Sequence, residues 1–363
     1  MNSILRTLLV FVVLTAAGFA APDFEATKKK AEAGDAVSQF NLGLIYESGT
    51  GALKDVAEAI KWYRQAADQG DVEAQINLGL MHASGKGVPK DATEAVKWYR
   101  RAVEQGHPAA QFNLGVMYLN GDGVSKDATE AVKWFRKSAE QGYVLAQFNL
   151  AGTYLNGTGM PKDVAQAVKL YRLAADSCYV GAQLNLGAIY ESGNLVPRDG
   201  TEAIKWYRKA ADQGDATAQF NLGVHYDKGD ALPMDATEAV KWFRKSAEQG
   251  LEVAQYHLGQ MYRNGKGVPK DYTEAVKWYR KSAEYGRPEA QYILGLCYAG
   301  GNGVPKDLVQ AHLWWSVAGV GGNPKAKNNL TIIEKEMSAD QKAEAMKLAS
   351  ELFAKIEANK AGK

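Results

Sequence analysis

Leucine recurs along the chain with a fixed period. Leu42, Leu78, Leu114, Leu150, Leu186, Leu222, Leu258, Leu294 and Leu330 stand 36 residues apart, with no insertion between them. A constant period of this length marks stacked units that bury their apolar faces against neighbours rather than in one central core. Within each period the apolar positions follow helical spacing twice. In the second unit Ala74, Leu78 and Met81 form a stripe that predicts helix A over 72–84, with Asp71 as N-cap and Gly85 at its end. That glycine recurs in all eight units, as Gly49, Gly85, Gly121, Gly157, Gly193, Gly229, Gly265 and Gly301. A second stripe, Ala95, Trp98, Tyr99 and Ala102, predicts helix B, opened by Asp91 with Glu94 three residues on and stopped by Gly106. The D-x-x-E/Q spacing repeats from Asp55/Glu58 to Asp307/Gln310. The prediction is an all-α solenoid of eight 36-residue helix-turn-helix repeats over residues 36–331.

Small and large residues alternate in register. Gly79 sits in the middle of helix A, where glycine costs about 1 kcal/mol relative to alanine, yet seven of the eight repeats keep it and only Ala151 departs. Close helix approach, with an aromatic ring filling the vacated space, explains the choice. Helix B supplies the rings: Trp in seven repeats, with Leu170 as the exception, and Tyr, Phe or Trp at the next position in all eight.

The ends differ from the middle. Residues 21–35 predict an N-terminal capping helix, centred on Phe24 to Ala33. Residues 332–363 predict a C-terminal capping helix and tail, within a terminal helix pair over 324–337 and 339–356. Ser338 and Gln341 form a capping box for the last helix. This pair should cover Leu313, which replaces the Lys of the seven earlier repeats. Residues 1–20 read as a cleavable signal peptide: Arg6, an apolar run from Leu8 to Ala17, and small residues up to Ala20. The run is short for a membrane span. The expectation is a periplasmic or secreted protein with no stable membrane insertion after cleavage.

Charge and chemistry narrow the function. With 43 Lys+Arg against 41 Asp+Glu the chain lacks the basic excess of a nucleic-acid binder. Cys178 and Cys297 lie more than three repeats apart, too far for a disulfide, and are expected as free thiols. His82, His107, His225, His257 and His312 are scattered, so no metal or cofactor site is expected. The G-x-G loops, such as Gly85-Lys86-Gly87, precede an Asp-capped helix that would repel phosphate, and read as turns.

These residues resemble the Sel-one-like repeat family, related to the tetratricopeptide repeat. The motif reads almost unbroken from Ala110 to Gly142. The resemblance implies a right-handed α/α superhelix with a concave inner face lined by the A helices, and roles in assembling complexes, in the cell envelope and in contact with hosts. Some Cys-rich members are labelled β-lactamase-like, but the Cys pair they carry in each repeat is missing here.

Two positions before each core Leu runs a ladder of large residues: Phe40, Ile76, Phe112, Phe148, Leu184, Phe220, Tyr256 and Tyr292. They point about 160° away from that Leu. Phe40, Ile76, Phe112, Phe148, Phe220, Tyr256 and Tyr292 are the candidate partner-binding residues, as an exposed apolar strip on the A helices. The other reading is packing between adjacent A helices. The asparagines beside them, Asn41 to Asn221, fit either a peptide backbone or a ladder between repeats. The Gln series from Gln39 to Gln291 reads as structural. Repeat 4, with Ala151, Leu170 and Cys178 in place of Gly, Trp and Gly, predicts a weaker junction or hinge across 150–185. The sequence thus points to an exported scaffold for a protein or peptide partner, not an enzyme. The alternatives are a secreted bacterial factor contacting host proteins and, more distantly, a β-lactamase-like or cell-wall-active enzyme.

Overall fold

The computed structural model describes residues 23–361. The signal peptide reading of residues 1–20 lies outside the described residues. Those described form helices joined by turns, with no strand among them. The chain divides into two compact units, and the division falls between Ala182 and Gln183.

In the first unit α1 (Phe24–Glu32) precedes four A/B pairs. These are α2 (Ala36–Ser48) with α3 (Val56–Asp68), α4 (Val72–Ser84) with α5 (Ala92–Glu104), α6 (Pro108–Asn120) with α7 (Ala128–Glu140), and α8 (Val144–Asn156) with α9 (Val164–Asp176). The unit boundary lies within α10 (Val180–Ser192), which pairs with α11 (Gly200–Asp212). The second unit continues with α12 (Ala216–Lys228) and α13 (Ala236–Glu248), α14 (Glu252–Asn264) and α15 (Tyr272–Glu284), and α16 (Pro288–Gly300) and α17 (Leu308–Val320). It ends on α18 (Pro324–Ile333) and α19 (Ala339–Ala361). The all-α repeat architecture expected from the 36-residue period is the observed one.

Each B helix opens as the spacing predicts. Asp91 Oδ1 accepts the Glu94 N–H at 3.0 Å, and the Asp repeats this at every B helix. The reciprocal half of a capping box is missing for a physical reason. The Asp91 N–H already donates to the His82 carbonyl at 2.8 Å, tying the start of helix B to the end of helix A. The Glu carboxylate is therefore free to take the lysine one turn on, as Glu94 does with Lys97 at 2.8 Å. Ser338 and Gln341 make the full reciprocal box, at 2.9 and 3.2 Å.

The glycine of helix A is a contact requirement. A Cβ on Gly79 would lie 2.4 Å from a ring carbon of Tyr99, and one on Gly223 would lie 2.6 Å from Phe243. The second glycine of the G-x-G loop has a different task. A Cβ on Gly123 would lie 2.2 Å from the Ala92 carbonyl oxygen, because the loop rests on the start of the preceding B helix. One junction inverts this arrangement. Ala231 takes the loop position at φ 62°. Opposite it stands Gly200, whose added Cβ would lie 2.4 Å from the Ala231 Cβ.

The C-terminal helices close the stack. Leu313 is buried in one cluster with Ile333, Met337, Ala345, Ala349 and Ile356. α18 ends at Ile333, four residues before the expected Met337, and residues 334–336 form a turn that leads to the Ser338 cap.

Candidate functional site: the A-helix face

The ladder residues lean on their own B helices. Ring centroids lie 5.7 Å apart for Phe40 and Tyr63, 5.6 Å for Phe112 and Phe135, 5.4 Å for Phe148 and Tyr171, 5.7 Å for Phe220 and Phe243, and 5.8 Å for Tyr256 and Tyr279. The expectation of a continuous exposed strip needs correction. Phe40, Ile76 and Phe112 are 8 %, 0 % and 2 % exposed and offer no surface to a partner in this conformation. Phe148, Phe220, Tyr256 and Tyr292 are partly exposed.

At some repeats a residue that helical spacing alone does not reveal lies against the ladder. The N-cap position of the next A helix lies 31 residues after each ladder residue. Tyr143 lies tilted against Phe112 at 5.5 Å, Tyr179 meets Phe148 edge to face at 4.9 Å, and Arg287 sits over Tyr256 at 5.2 Å. Where the position is Asp, as at Asp71 and Asp215, it caps the helix through its side chain. Where it is His107, Tyr143, Leu251 or Arg287 the side-chain cap is absent. The sequence signal was the alternation itself, because a tyrosine or arginine has no capping oxygen to offer at that site.

The glutamines are structural, as expected, and their role is specific. Gln75 Nε2 donates to the Ala67 carbonyl of the preceding B helix at 3.1 Å, and its Oε1 accepts from Gln105 at 3.1 Å. The same Gln–Gln bond joins Gln69 to Gln39, Gln141 to Gln111, Gln213 to Gln183 and Gln249 to Gln219. Position 177 is serine and position 285 tyrosine, and the Oε1 atoms of Gln147 and Gln255 are buried without a partner. Asn77 is buried beside Tyr63 of the preceding repeat, which favours the inter-repeat reading at that position. Tyr63 also donates to Glu47 at 2.6 Å; burial pushes its phenol well above the ordinary range.

The remaining polar groups are absorbed by the stack. Arg100 donates to Tyr118 of the next repeat at 3.0 Å, not to Glu104, and Arg101 pairs with Asp68 of the previous one at 3.0 Å. His82 is buried, and burial lowers its pKa; His257 contacts Phe220 and Phe243 and is lowered for the same reason. His225 bonds the Asp230 carbonyl at 2.9 Å, and His312 bridges Glu334 and Ser316 at 3.1 and 3.2 Å. Among the described residues no group of His, Cys, Asp and Glu converges as a metal site, and no helix is long and apolar enough to cross a membrane. Cys178 is a free, exposed thiol held in the left-handed region at φ 62°, and Cys297 is free and buried.

Two-helix units joined by a repeated polar and aromatic seam define a helical-repeat scaffold. The Sel1 repeat matches residues 36–71, 72–107, 108–143, 144–177, 180–215, 216–251, 253–286 and 288–319, and the chain belongs to that family. A solved Sel1 repeat protein from Oxalobacter formigenes is 33% identical over 87% of this chain and 91% of its own, with a TM-score of 0.65. The protein c5321, a protective antigen present in uropathogenic Escherichia coli strains, is 32% identical over 92% of this chain and 95% of its own, with a TM-score of 0.41. No curated protein matches the chain. Repeat scaffolds of this class mediate protein–protein interaction and are not an enzyme fold.

Proposed function

We propose that the protein is an exported scaffold that holds a partner protein or peptide on the A-helix face of its repeats. The observation that carries this reading is the difference in closure along one register. Phe40, Ile76 and Phe112 are sealed, whereas Phe220, Tyr256 and Tyr292 of the second unit stay partly exposed. Around them stand partly exposed Asn221, Val224, Gln260, Arg263 and Ile293, a mixture of apolar area and hydrogen-bonding groups suited to a peptide. Phe148 offers a separate, smaller contact in the first unit. A photo-crosslinking residue at Gln260 should trap a partner in cells. The same residue at Lys205, exposed on helix B, should not, and Phe220→Ser/Tyr256→Ser should abolish the Gln260 adduct while leaving the melting transition cooperative. Equal trapping at both positions would move the binding surface elsewhere.

Export rests on the apolar run from Leu8 to Ala17. It predicts a mature protein in the periplasm or medium that begins near Ala21, read by N-terminal sequencing after fractionation. A secreted role in contact with host proteins is the second reading, favoured by the 32% identity to a protective antigen of uropathogenic bacteria. Recovery from culture supernatant rather than the periplasm would select it.

A further inference from the structure

The twelfth residue of the A helix meets the B-helix tyrosine in the first and fifth repeats. Glu47 accepts the Tyr63 hydroxyl at 2.6 Å, and Glu191 accepts the Tyr207 hydroxyl at 2.6 Å. A lysine of the next loop can share the acid at this register, as Lys86 does with Glu47 at 2.7 Å and Lys266 with Asp227 of the sixth repeat at 2.7 Å. The seventh repeat departs on both counts. Its twelfth residue is Arg263, and Asn302 stands where Lys86 and Lys266 stand. The tyrosine is kept. Tyr279 is fully buried, and its hydroxyl has no hydrogen-bond partner. Burial pushes this phenol above its ordinary range, and the neighbouring Arg263 guanidinium opposes the shift. Tyr99 has the same orphan hydroxyl, but its register residue is Ala83, which carries no charge. The seventh repeat thus joins a buried, unpartnered donor to a guanidinium where the first and fifth repeats hold a carboxylate.

We propose that Arg263 binds a carboxylate side chain, Asp or Glu, on the partner segment held by the A-helix face. The nearby bases are committed within the chain: Lys266 to Asp227 at 2.7 Å, and Arg287 to Glu289 at 3.3 Å and to the Tyr256 ring at 5.2 Å. Among the described residues Arg263 has no acidic partner, and it is partly exposed. It stands one turn beyond Gln260, whose Nε2 donates to the Tyr256 hydroxyl at 2.9 Å, so it continues the row of polar groups on that face. A guanidinium presents two parallel N–H groups to a carboxylate, a charge-assisted pairing that also fixes orientation. The partner's acid would supply from outside the group that Glu47 and Glu191 supply from within, and Tyr279 keeps the hydroxyl that donates to it there. This inference rests on the A-helix-face reading above and names the chemistry that the face selects.

Short random peptides displayed on phage and selected against the purified full chain supply the probe. The expected result is enrichment of Asp or Glu at one aligned position, in peptides that the Phe220→Ser/Tyr256→Ser variant no longer binds. The best peptide and its amide counterpart, with Gln for Glu or Asn for Asp, are then titrated by fluorescence anisotropy. The amide peptide should bind wild type at least about tenfold more weakly, whereas the two peptides should bind Arg263→Gln alike. Arg263→Glu installs the residue of the first and fifth repeats. It should lose the acidic peptide while melting no lower than wild type, which separates loss of binding from loss of fold. Peptides that need Phe220 and Tyr256 but share no acidic position overturn the carboxylate site and leave the A-helix face standing, as does an equal acid-to-amide difference in wild type and Arg263→Gln. Selection of no peptide that needs Phe220 and Tyr256 overturns both.

Discussion

Replacing Ser177 with glutamine should stabilise the first unit. Ser177 occupies the position from which Gln69, Gln105 and Gln141 reach back to the preceding A helix. Its backbone, at φ −80° and ψ 20°, is close to that of Gln105 at −88° and 4°, so a glutamine side chain there starts from nearly the same geometry. Its target is ready, because Gln147 is buried, its Nε2 donates to the Ala139 carbonyl at 3.4 Å and its Oε1 has no partner. Leaving a buried acceptor unsatisfied costs about 1–3 kcal/mol. Ordering an exposed glutamine removes up to about 2 kcal/mol of that as side-chain entropy. The net gain expected is about 1 kcal/mol. Urea unfolding followed by circular dichroism should show a higher midpoint with an unchanged slope. Gln105→Ser, which creates the same orphan at Gln75, should lower the midpoint by a similar amount. The reasoning fails if Ser177→Gln is neutral while Gln105→Ser is costly, because identical geometry would then have given unequal bonds. It also fails if both are neutral, because the ladder would then carry no net energy.

Four further outcomes follow from the packing. Gly79→Ala should destabilise by about 1–3 kcal/mol despite its better helix propensity, because the new Cβ meets the Tyr99 ring at 2.4 Å; thermal melting measures it, and Gly79→Ala combined with Tyr99→Leu should recover part of the loss. Cys178→Gly should be neutral to stabilising by up to about 1 kcal/mol, since it relieves a left-handed backbone. In the wild type a thiol reagent should modify exposed Cys178 rapidly and buried Cys297, whose thiol burial pushes upward, only on unfolding. His82 binds its proton less well when folded than when unfolded, so its contribution is neutral above the ordinary histidine value of 6.5 and becomes destabilising as pH falls below it. His82→Tyr, the residue used by sister repeats, should therefore flatten the loss of stability between neutral and acidic pH in urea titrations.

The repeat, its caps and the glycine–aromatic contact were legible because each is local or recurs at a fixed offset. Gly79 against Tyr99 needed only the two helices of one repeat and their known periods. The exposure of the ladder was not legible. Phe112 is sealed beside Tyr143, 31 residues away at the start of the next A helix, whereas Phe148 stays partly exposed beside Tyr179. The 160° separation from the core leucine was a correct statement about direction, but a stack of helices offers a second interior beyond the first. The glutamine ladder shows the converse. Its structural character was readable beside the buried alanines, yet its bonding scheme emerged only when the C-terminal ends of the B helices were placed against the next A helices.

The exchange at Gly200 and Ala231 bears on how such a chain can be shortened or extended. At this junction the loop of one repeat and the first residue of the previous B helix share a volume that holds a single Cβ, so the heritable piece straddles the repeat boundary. Excising residues 216–251 as a block would remove Ala231 and leave Gly200 without the methyl group that stands where its own Cβ would be. A cut displaced so that Gly200 and Ala231 leave together restores a matched pair at the new seam. Splicing, natural or engineered, is thus permitted at a phase of the period that the helix boundaries do not reveal.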